Sequence, residues 1–277
     1  MSIDHELPEP LMNRITQSFA ALAVLSASAN AAVTTIDATG WTNDIVVDNR
    51  GGSYDTTVDG TMDNGPGSFD NWTFAEEGTY PTGGENTPTL VTGPKEGTHT
   101  TASGSTFVFQ SFDSANALLL PGSTAGLLTL AAPGMYSTIS LVGAVSGGPT
   151  TASVVINFSD LTSATFTITE TGMTRDWFNT DAPGELAYAV GARVANRGED
   201  AHTNLHYQEN SAISLKESLL ALSAGDQAKM ITSIEVTNTG GGRLAVMGLS
   251  GEAVPEPSVL GLLGVCGLMG LVRRRRA

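Results

Sequence analysis

Short runs in which apolar and polar residues alternate are the feature that most limits how this chain can fold. In ATFTITE, residues 164–170, Phe166 and Ile168 point to one side of an extended segment and three threonines to the other. Similar runs, rich in Thr, Val, Ile and Phe, occur between clusters of Gly, Pro, Asn and Asp. They are residues 44–48, 105–112, 136–145, 152–158, 186–195, 231–237 and 243–249. This spacing predicts an all-β domain, an antiparallel β-sandwich or jelly roll.

Two segments depart from this strand pattern. LKESLLALSAGDQAK, residues 215–229, predicts a short helix that ends before Gly225. Residues 78–106 are unusually rich in small polar residues, because 17 of the 29 are Gly, Ser or Thr. Since residues 44–48 already form a predicted strand before this stretch, we expect a long surface loop or edge region within one domain.

The N-terminal segment, residues 1–31, contains the layout of a secretory signal peptide. Arg14 supplies a basic start, an apolar stretch follows, and Ala29 and Ala31 form an A-x-A cleavage site. The residues before Met12 are acidic, which is the wrong charge for the start of a signal peptide. We therefore expect a cleaved signal helix, with translation starting at Met12 or with a tolerated extension.

The C-terminal segment, residues 252–277, combines a short motif, an apolar stretch and a basic cluster. The motif residues are Val254, Pro255, Glu256 and Pro257, and the basic residues are Arg273, Arg274, Arg275 and Arg276. The fourteen apolar residues 259–272 are fewer than the roughly 20 that span a bilayer. Arginine side chains that extend to the membrane surface reduce the length of apolar helix that is required. Because such basic clusters stay cytoplasmic, we predict a short transmembrane helix with the preceding domain outside.

In this order, the three elements resemble the PEP-CTERM sorting signal of Gram-negative bacteria. The resemblance covers about residues 254–277 and implies that exosortase recognises the tail, cuts it near Pro-Glu-Pro and transfers the protein to an anchor. It implies an exported protein, first tethered to the inner membrane and then located on the outer surface or in the extracellular matrix. A plain single-span anchor is the alternative, and it predicts the same surface location.

The body of the chain, residues 32–251, has a second resemblance. Residues 38–48, 105–120, 176–178 and 231–251 are similar to segments of uncharacterised exported bacterial proteins with the same tail, which are similar to galactose-binding-type jelly rolls. The resemblance implies one continuous β-domain and brings no activity with it.

Charge and cysteine content narrow the classes of function. Between Val33 and Gly251 the chain has 23 acidic and 8 basic residues, and such a surface repels phosphate backbones. We therefore expect no nucleic-acid partner. The single cysteine, Cys266, lies in the terminal apolar stretch, so the body has no disulfide, no thiolate nucleophile and no cysteine-based metal site.

Tryptophans and aspartates are the candidate binding residues. Trp41 and Trp72 have polar neighbours and could stack on sugar rings, although large aromatic residues also anchor cores. We expect Trp177, followed by Phe178, to lie at the end of a strand.

Five aspartates occur close together in the sequence and suit Ca²⁺, a possible but not required cofactor, although solvated turns use the same residues. They are Asp44, Asp48, Asp55, Asp59 and Asp63.

Catalytic motifs are weak in this sequence. Glu76 and Glu77 are adjacent and point apart on a strand, and no G-x-S-x-G elbow is present. We therefore predict a non-catalytic, exported and surface-anchored protein associated with the extracellular polysaccharide matrix. The first alternative is a carbohydrate-binding jelly-roll module. The second is a glycan-processing hydrolase, which needs two facing carboxylates in a cleft.

Overall fold

The computed structural model describes residues 32–50, 53–55, 58–63, 72–78, 92–178, 184–195 and 206–254. The chain divides into two units, Met1–Ala31 and Ala32–Ala277, and the described residues all belong to the second. The predicted signal helix, its cleavage residues Ala29 and Ala31, and the predicted C-terminal helix lie outside the described residues. Within the described ranges, no helix is long and apolar enough to cross a membrane.

Eighteen strands and one short 3-10 turn, Gly172–Thr174, make up the regular structure of the described residues. The strands are β1 (Val33–Thr35), β2 (Ala38–Thr39), β3 (Val46–Arg50), β4 (Ser53–Asp55), β5 (Trp72–Ala75), β6 (Gly97–Thr100), β7 (Thr106–Phe109), β8 (Leu118–Pro121), β9 (Ala125–Gly134), β10 (Tyr136–Ser146), β11 (Thr151–Phe158), β12 (Ser163–Thr169), β13 (Leu186–Ala189), β14 (Ala192–Ala195), β15 (His206–Glu209), β16 (Ser214–Ala221), β17 (Ile231–Asn238) and β18 (Arg243–Ala253).

Three sheets and a hairpin organise these strands. The central sheet has the order β1-β18-β10-β16-β13, and β8 also pairs with β18. The outer sheet has the order β12-β11-β17-β9-β2, the small sheet has the order β15-β14-β5-β3-β4, and β6 and β7 form the hairpin. Every strand pair is antiparallel except β3 with β5. The predicted all-β class and antiparallel sandwich are confirmed.

The central sheet is buried on both faces. On β10, Leu141 packs into a first core shared with the outer sheet, while its neighbour Val142 packs into a second core. On β18, Val246 and Met247 divide in the same way. The second core also contains side chains of the small sheet and the hairpin. A strand buried on both faces contains a continuous apolar run rather than an alternating one.

The alternation in residues 164–170 has the predicted structural meaning. Residues 163–169 form β12 at the edge of the outer sheet, paired with β11. Ile168 is buried, Phe166 is half-buried against the first core, and the three alternating threonines, Thr165, Thr167 and Thr169, are exposed. The predicted division into an inner and an outer side is therefore confirmed.

The helix predicted within residues 215–229 is wrong. Residues 214–221 form β16, which pairs with β10 on one side and β13 on the other, and turns follow. Leu, Lys, Glu and Ala are good helix formers, but pairing on both edges and burial outweigh that local preference. The polar side chains remain satisfied in the strand: Lys216 Nζ donates to the Ser214 carbonyl at 3.2 Å.

The small-residue stretch 78–106 is partly a hairpin. Residues 79–91 lie outside the described residues, but β6 begins at Gly97 and pairs with β7. Phe107 and Phe109 of β7 are buried in the second core. The stretch thus supplies β6 and the start of β7, and the residues that follow it in β7 cover one face of the central sheet.

Candidate functional site

A cleft of about 670 Å³ opens where β8, β10, β14 and β18 approach one another. Its lining residues, which define the Trp72 cleft, are Asp63, Trp72, Pro121, Gly122, Ser146, Gly147, Arg193, Gly242 and Arg243. The volume is in the range of about 300–1,000 Å³ that is typical of small-molecule sites. An aromatic side chain beside charged groups gives the cleft both a stacking surface and hydrogen-bonding partners.

Trp72 and Arg193 meet because β5 and β14 are neighbours. Ala195 pairs with Trp72 across the two strands, which places Arg193 diagonally opposite the indole. The Arg193 guanidinium carbon lies 4.2 Å from the centre of the Trp72 ring and 4.3 Å from that of Phe178. A cation between two aromatic rings is attracted to both faces. Arg193 therefore fixes the position of the indole at the cleft.

Two polar contacts also hold the side chain of Arg193 in place. Its Nη1 lies 2.9 Å from Asp63 Oδ2, and its Nε donates to Gln208 Oε1 at 2.7 Å. The two side chains of the ion pair are only 16% and 21% exposed, so solvent screens this pair less than an ordinary surface pair. Asp63 is held in turn through its main chain, because its N–H donates to the Trp72 carbonyl at 3.0 Å.

Arg243 is the second cation of the cleft. It is the first residue of β18 and pairs with Ser146 on β10 and with Pro121 on β8. Burial lowers the pKa of its guanidinium, and the nearby Asp63 carboxylate opposes that change. The guanidinium remains charged, but it is partly removed from water.

Asn238 braces the turns beside Arg243. Its side chain is fully buried, and its Nδ2 donates to the carbonyls of Leu120 and Gly242 at 3.0 and 3.3 Å. Its Oδ1 accepts from Thr150 Oγ1 at 2.9 Å and from Gly240 N–H at 3.2 Å. One amide thus connects β8, the turn after β10 and the turn before β18.

Sequence reasoning identified Trp72 but missed Arg193, Arg243 and Asn238. A signal was present for the arginines, because each lies beside apolar residues in a body with only eight basic residues. A cation at such a position is expected to have specific partners. Asn238, in NTGGGR, is indistinguishable in sequence from an ordinary turn asparagine.

All three tryptophans contact a core, and Trp72 packs partly buried against the second one. Trp41 is half-buried, packs on the first core and donates from Nε1 to the Ala38 carbonyl at 2.9 Å. Trp177 is 1% exposed in the second core, 5.2 Å from Phe74 in an edge-to-face contact. Of the two sugar-stacking candidates, only Trp72 lines a cleft described above.

The five aspartates of the calcium prediction do not share one environment. Asp59 Oδ1 accepts from the Asp44 N–H at 2.8 Å, so these two residues are neighbours. Asp63 lies in the ion pair with Arg193, Asp48 is buried, and the side chain of Asp55 lies outside the described residues. In the described parts of the chain, no three His, Cys, Asp or Glu side chains are grouped to hold a metal ion. Calcium binding by this stretch stays a prediction.

Asp44 has the most clearly perturbed acidity among the described carboxylates. Burial raises its pKa from 3.8 to about 6, and the nearby Asp59 and Asp48 carboxylates add to this increase. Hydrogen bonds oppose the increase: Oδ1 accepts from Asn116 Nδ2 at 2.5 Å and from the Val46 N–H at 3.2 Å. Ionisation of Asp44 therefore costs free energy in the folded state.

The folded protein should lose stability as the pH rises from about 4 to 6. In this window folded Asp44 keeps a proton that the unfolded chain has released, so the free energy of unfolding falls with pH. Asp44→Asn removes the titration and keeps the acceptor oxygen. Because the carboxyl is partly exposed, we expect a gain of only about 1 kcal/mol at pH 7 and almost none at pH 4. Urea unfolding at both pH values measures the difference.

Asp160→Asn is the matched control for Asp44→Asn. Hydrogen bonds from Thr162 lower the pKa of the exposed Asp160. Its ionised form is therefore favoured in the folded state. The substitution should lower the free energy of unfolding at pH 7, whereas Asp44→Asn should raise it. Equal effects of the two substitutions at pH 7 would contradict the assignment.

A second cleft, of about 570 Å³, contains two glutamates and is named the Glu217 cleft here. Its lining residues include Ser103, Phe166, Ile168, Glu185, Glu217 and Leu220. Glu217 is 4% exposed, and its two oxygens accept from Ser140 Oγ and, at 2.5 Å, from Ser103 Oγ. Glu185 Oε2 lies 2.7 Å from Arg175 Nε. Both carboxylates are thus engaged by neighbouring side chains.

Beyond the clefts, the decisive feature lies at the end of the last described strand. β18 ends at Ala253, and Val254 N–H donates to the Met135 carbonyl at 3.0 Å. Residues 253–276 match the model of the PEP-CTERM protein-sorting motif. The chain carries a PEP-CTERM sorting motif. The predicted resemblance of the tail is confirmed, and the motif indicates an exported protein that exosortase handles at the membrane. It includes Pro255, Glu256 and Pro257, which lie outside the described residues.

Comparisons with other proteins add little about the body. No curated protein matches the chain. A solved structure described as a mutant of CBM29-2, from work on ligand recognition by family 29 carbohydrate binding modules, matches with 10% identity. The match covers 57% of this chain and 95% of that one, with a TM-score of 0.24. A TM-score this low does not establish a shared fold.

Proposed function

We propose that this protein is a non-catalytic β-sandwich protein of the cell surface, associated with the extracellular polysaccharide matrix after exosortase processes its tail. The observation that carries the proposal is the sorting motif at residues 253–276, which begins where β18 ends. The cut near Pro-Glu-Pro would leave the strands of the sandwich intact. The acidic and apolar composition of the body agrees with a folded domain that works outside the cell.

The location follows from the order of the tail segments. The apolar residues 259–272 would hold the precursor in the inner membrane, and the four arginines would stay on the cytoplasmic side. The folded body would then face outward, where the enzyme that cuts the tail can release it to an anchor. Surface display is thus the final state that we propose.

The mass of the mature protein tests this proposal. In cells with active exosortase, the mature protein should lack the residues after about Pro257, whereas cells without exosortase should retain the full tail. Glu256→Ala should reduce the processed fraction at least about tenfold, because it changes the central residue of the tripeptide. Intact-mass spectrometry of protein from both cell types measures the outcome.

Glu252→Ala is the control for Glu256→Ala. It removes a glutamate just before the motif, one whose Oε2 accepts from Ser137 Oγ at 2.6 Å, without changing the tripeptide. Processing of this variant should continue. A mature mass that retains the tetra-arginine tail in exosortase-positive cells would overturn the proposal.

The non-catalytic part of the proposal draws support from the Glu217 cleft. A glycan hydrolase needs one carboxylic acid that donates a proton and one carboxylate that acts as base or nucleophile. Glu185 contacts Arg175, and the oxygens of Glu217 accept from two serine hydroxyls. Both carboxylates thus have side-chain partners within the protein, which supports a structural rather than a catalytic role.

Carbohydrate binding at the Trp72 cleft is the second candidate function. The observation that favours it is the half-buried indole, which Arg193 fixes beside a cleft of about 670 Å³. A rigid aromatic face with polar neighbours suits a sugar ring, which has apolar C–H faces and polar edges. A surface protein with such a site would bind the polysaccharide around the cell directly.

A further inference from the structure

We propose that the Trp72 cleft binds the uronic-acid units of an acidic polysaccharide, with the sugar ring against Trp72 and its carboxylate contacting Arg243. This inference rests on the second candidate function, since it specifies the class of glycan for the same cleft. Neutral glycans would lack the contact with Arg243 and would bind more weakly.

Charge is the first argument for an acidic ligand. The charged side chains among the described lining residues are Asp63, Arg193 and Arg243, which leaves one net positive charge. The whole chain has a net charge of −15, so the cleft differs in sign from the protein as a whole. A positive site on an acidic protein attracts an anion only at short range, since the Debye length is about 8 Å at physiological salt.

The roles of the two arginines are the second argument. Arg193 lies between two rings, contacts Asp63 and donates to Gln208, so its contacts serve to position Trp72. Arg243 is the other arginine of the cleft wall, and the Asp63 carboxylate also lies near it. Its guanidinium is partly desolvated, and a planar guanidinium forms two parallel hydrogen bonds with a carboxylate. A ligand carboxylate is therefore the group that best complements Arg243.

The shape of the wall around Arg243 is the third argument. Gly242 has φ of +74°, and a Cβ there would lie 2.2 Å from the Ser146 carbonyl oxygen. Gly122 and Gly147 also line the cleft, so the wall beside the cation is main chain without bulky side chains. Asn238 holds the Gly242 carbonyl and thereby fixes the turn. The cleft thus offers a space bounded by main chain beside Arg243, and Trp72 lines the same cleft.

Titration with paired polymers tests the inference. The full-length protein is titrated calorimetrically with polygalacturonate and alginate, each in its free-acid form and its methyl-esterified form, at 0.15 M salt. Esterification removes the carboxylate charge and keeps the sugar backbone. The free-acid form of at least one polymer should bind at least about tenfold more tightly than its ester, because hydrogen bonds between charged groups are stronger than those between neutral groups.

Two pairs of variants distinguish the contributions. Arg243→Gln should weaken binding of the acid form about tenfold and leave ester binding unchanged, while Lys95→Gln, which removes the same charge at a position that is 63% exposed, should change neither. Trp72→Ala should weaken both forms, while Trp41→Ala should change neither. Circular dichroism confirms that each variant is folded.

The outcomes separate the two proposals. Equal binding of acid and ester forms, weakened by Trp72→Ala, would overturn the acidic-ligand inference and support the carbohydrate-binding function. Preference for the acid form that persists in Arg243→Gln would overturn the assignment to Arg243. No binding of any of the four polymers would overturn both the inference and the second candidate function, while the processing proposal would still stand on its own test.

Discussion

Trp177→Ala is expected to lower the free energy of unfolding by about 3–5 kcal/mol, the largest effect of any single substitution considered. The indole is 1% exposed and lies edge-to-face against Phe74 at 5.2 Å. Its main chain also joins two strands, because its N–H donates to Val145 at 2.7 Å and its carbonyl accepts from Ser214 at 3.0 Å. These main-chain bonds keep the site from collapsing into the cavity that the substitution leaves. Urea unfolding at pH 7 measures the loss.

Trp41→Ala is the matched control for Trp177→Ala. Trp41 is half-buried at the edge of the first core and has one main-chain contact, from its Nε1 to Ala38. We expect a loss of about 1–2 kcal/mol, since less apolar surface becomes exposed to water. Equal losses in the two variants would contradict the view that Trp177 is a core residue and Trp41 a peripheral one.

Asn238→Leu is expected to cost about 3 kcal/mol, the second largest effect. The substitution keeps the number and branching of the side-chain heavy atoms but removes four hydrogen bonds, two to the carbonyls of Leu120 and Gly242 and two from Thr150 and Gly240. Each buried polar group left without a partner costs about 1–3 kcal/mol, and water at the adjacent turns recovers part of that cost. Urea unfolding measures the stability.

Asn157→Leu is the control for Asn238→Leu. Asn157 lies in β11 and has one side-chain bond, from Nδ2 to Ser233 Oγ at 3.2 Å, so its loss should cost about 1 kcal/mol or less. Asn238→Asp adds a second comparison, because it would place a carboxylate oxygen against two carbonyls. This variant should be at least as unstable as Asn238→Leu at pH 7 and should improve in acid. A decrease of less than 1 kcal/mol in the free energy of unfolding of Asn238→Leu would contradict the view that Asn238 stabilises the adjacent turns.

The strands were predictable because their signal is local. β11 and β12 alternate with a period of two residues, and this pattern depends only on which side of the strand faces a core. β10 and β18 were also predicted as strands, but their continuous apolar runs do not say which elements cover the two faces. The small sheet and the hairpin cover the second face, and those contacts join residues that are distant in the sequence.

β16 shows where local reasoning fails. Its residues favour a helix, and only the pairing with β10 and β13 makes the strand preferable. The candidate site shows the same limit. Trp72 was identifiable by its chemistry, but the ion pair of the cleft joins Asp63 and Arg193, which are 130 residues apart. Such a pair depends on the neighbouring positions of β5 and β14, which the sequence does not show.

The position of β18 has a consequence for how the protein folds during export. β18 is an interior strand of the central sheet, flanked by β10, β1 and β8, and it is the last described strand in chain order. A chain that crosses a membrane from its N-terminus delivers this strand last. The two cores both contain residues of β18, so neither can close until the strand has emerged as far as Leu249. The sandwich would therefore remain open throughout translocation and would fold cooperatively when the sorting motif reaches the membrane.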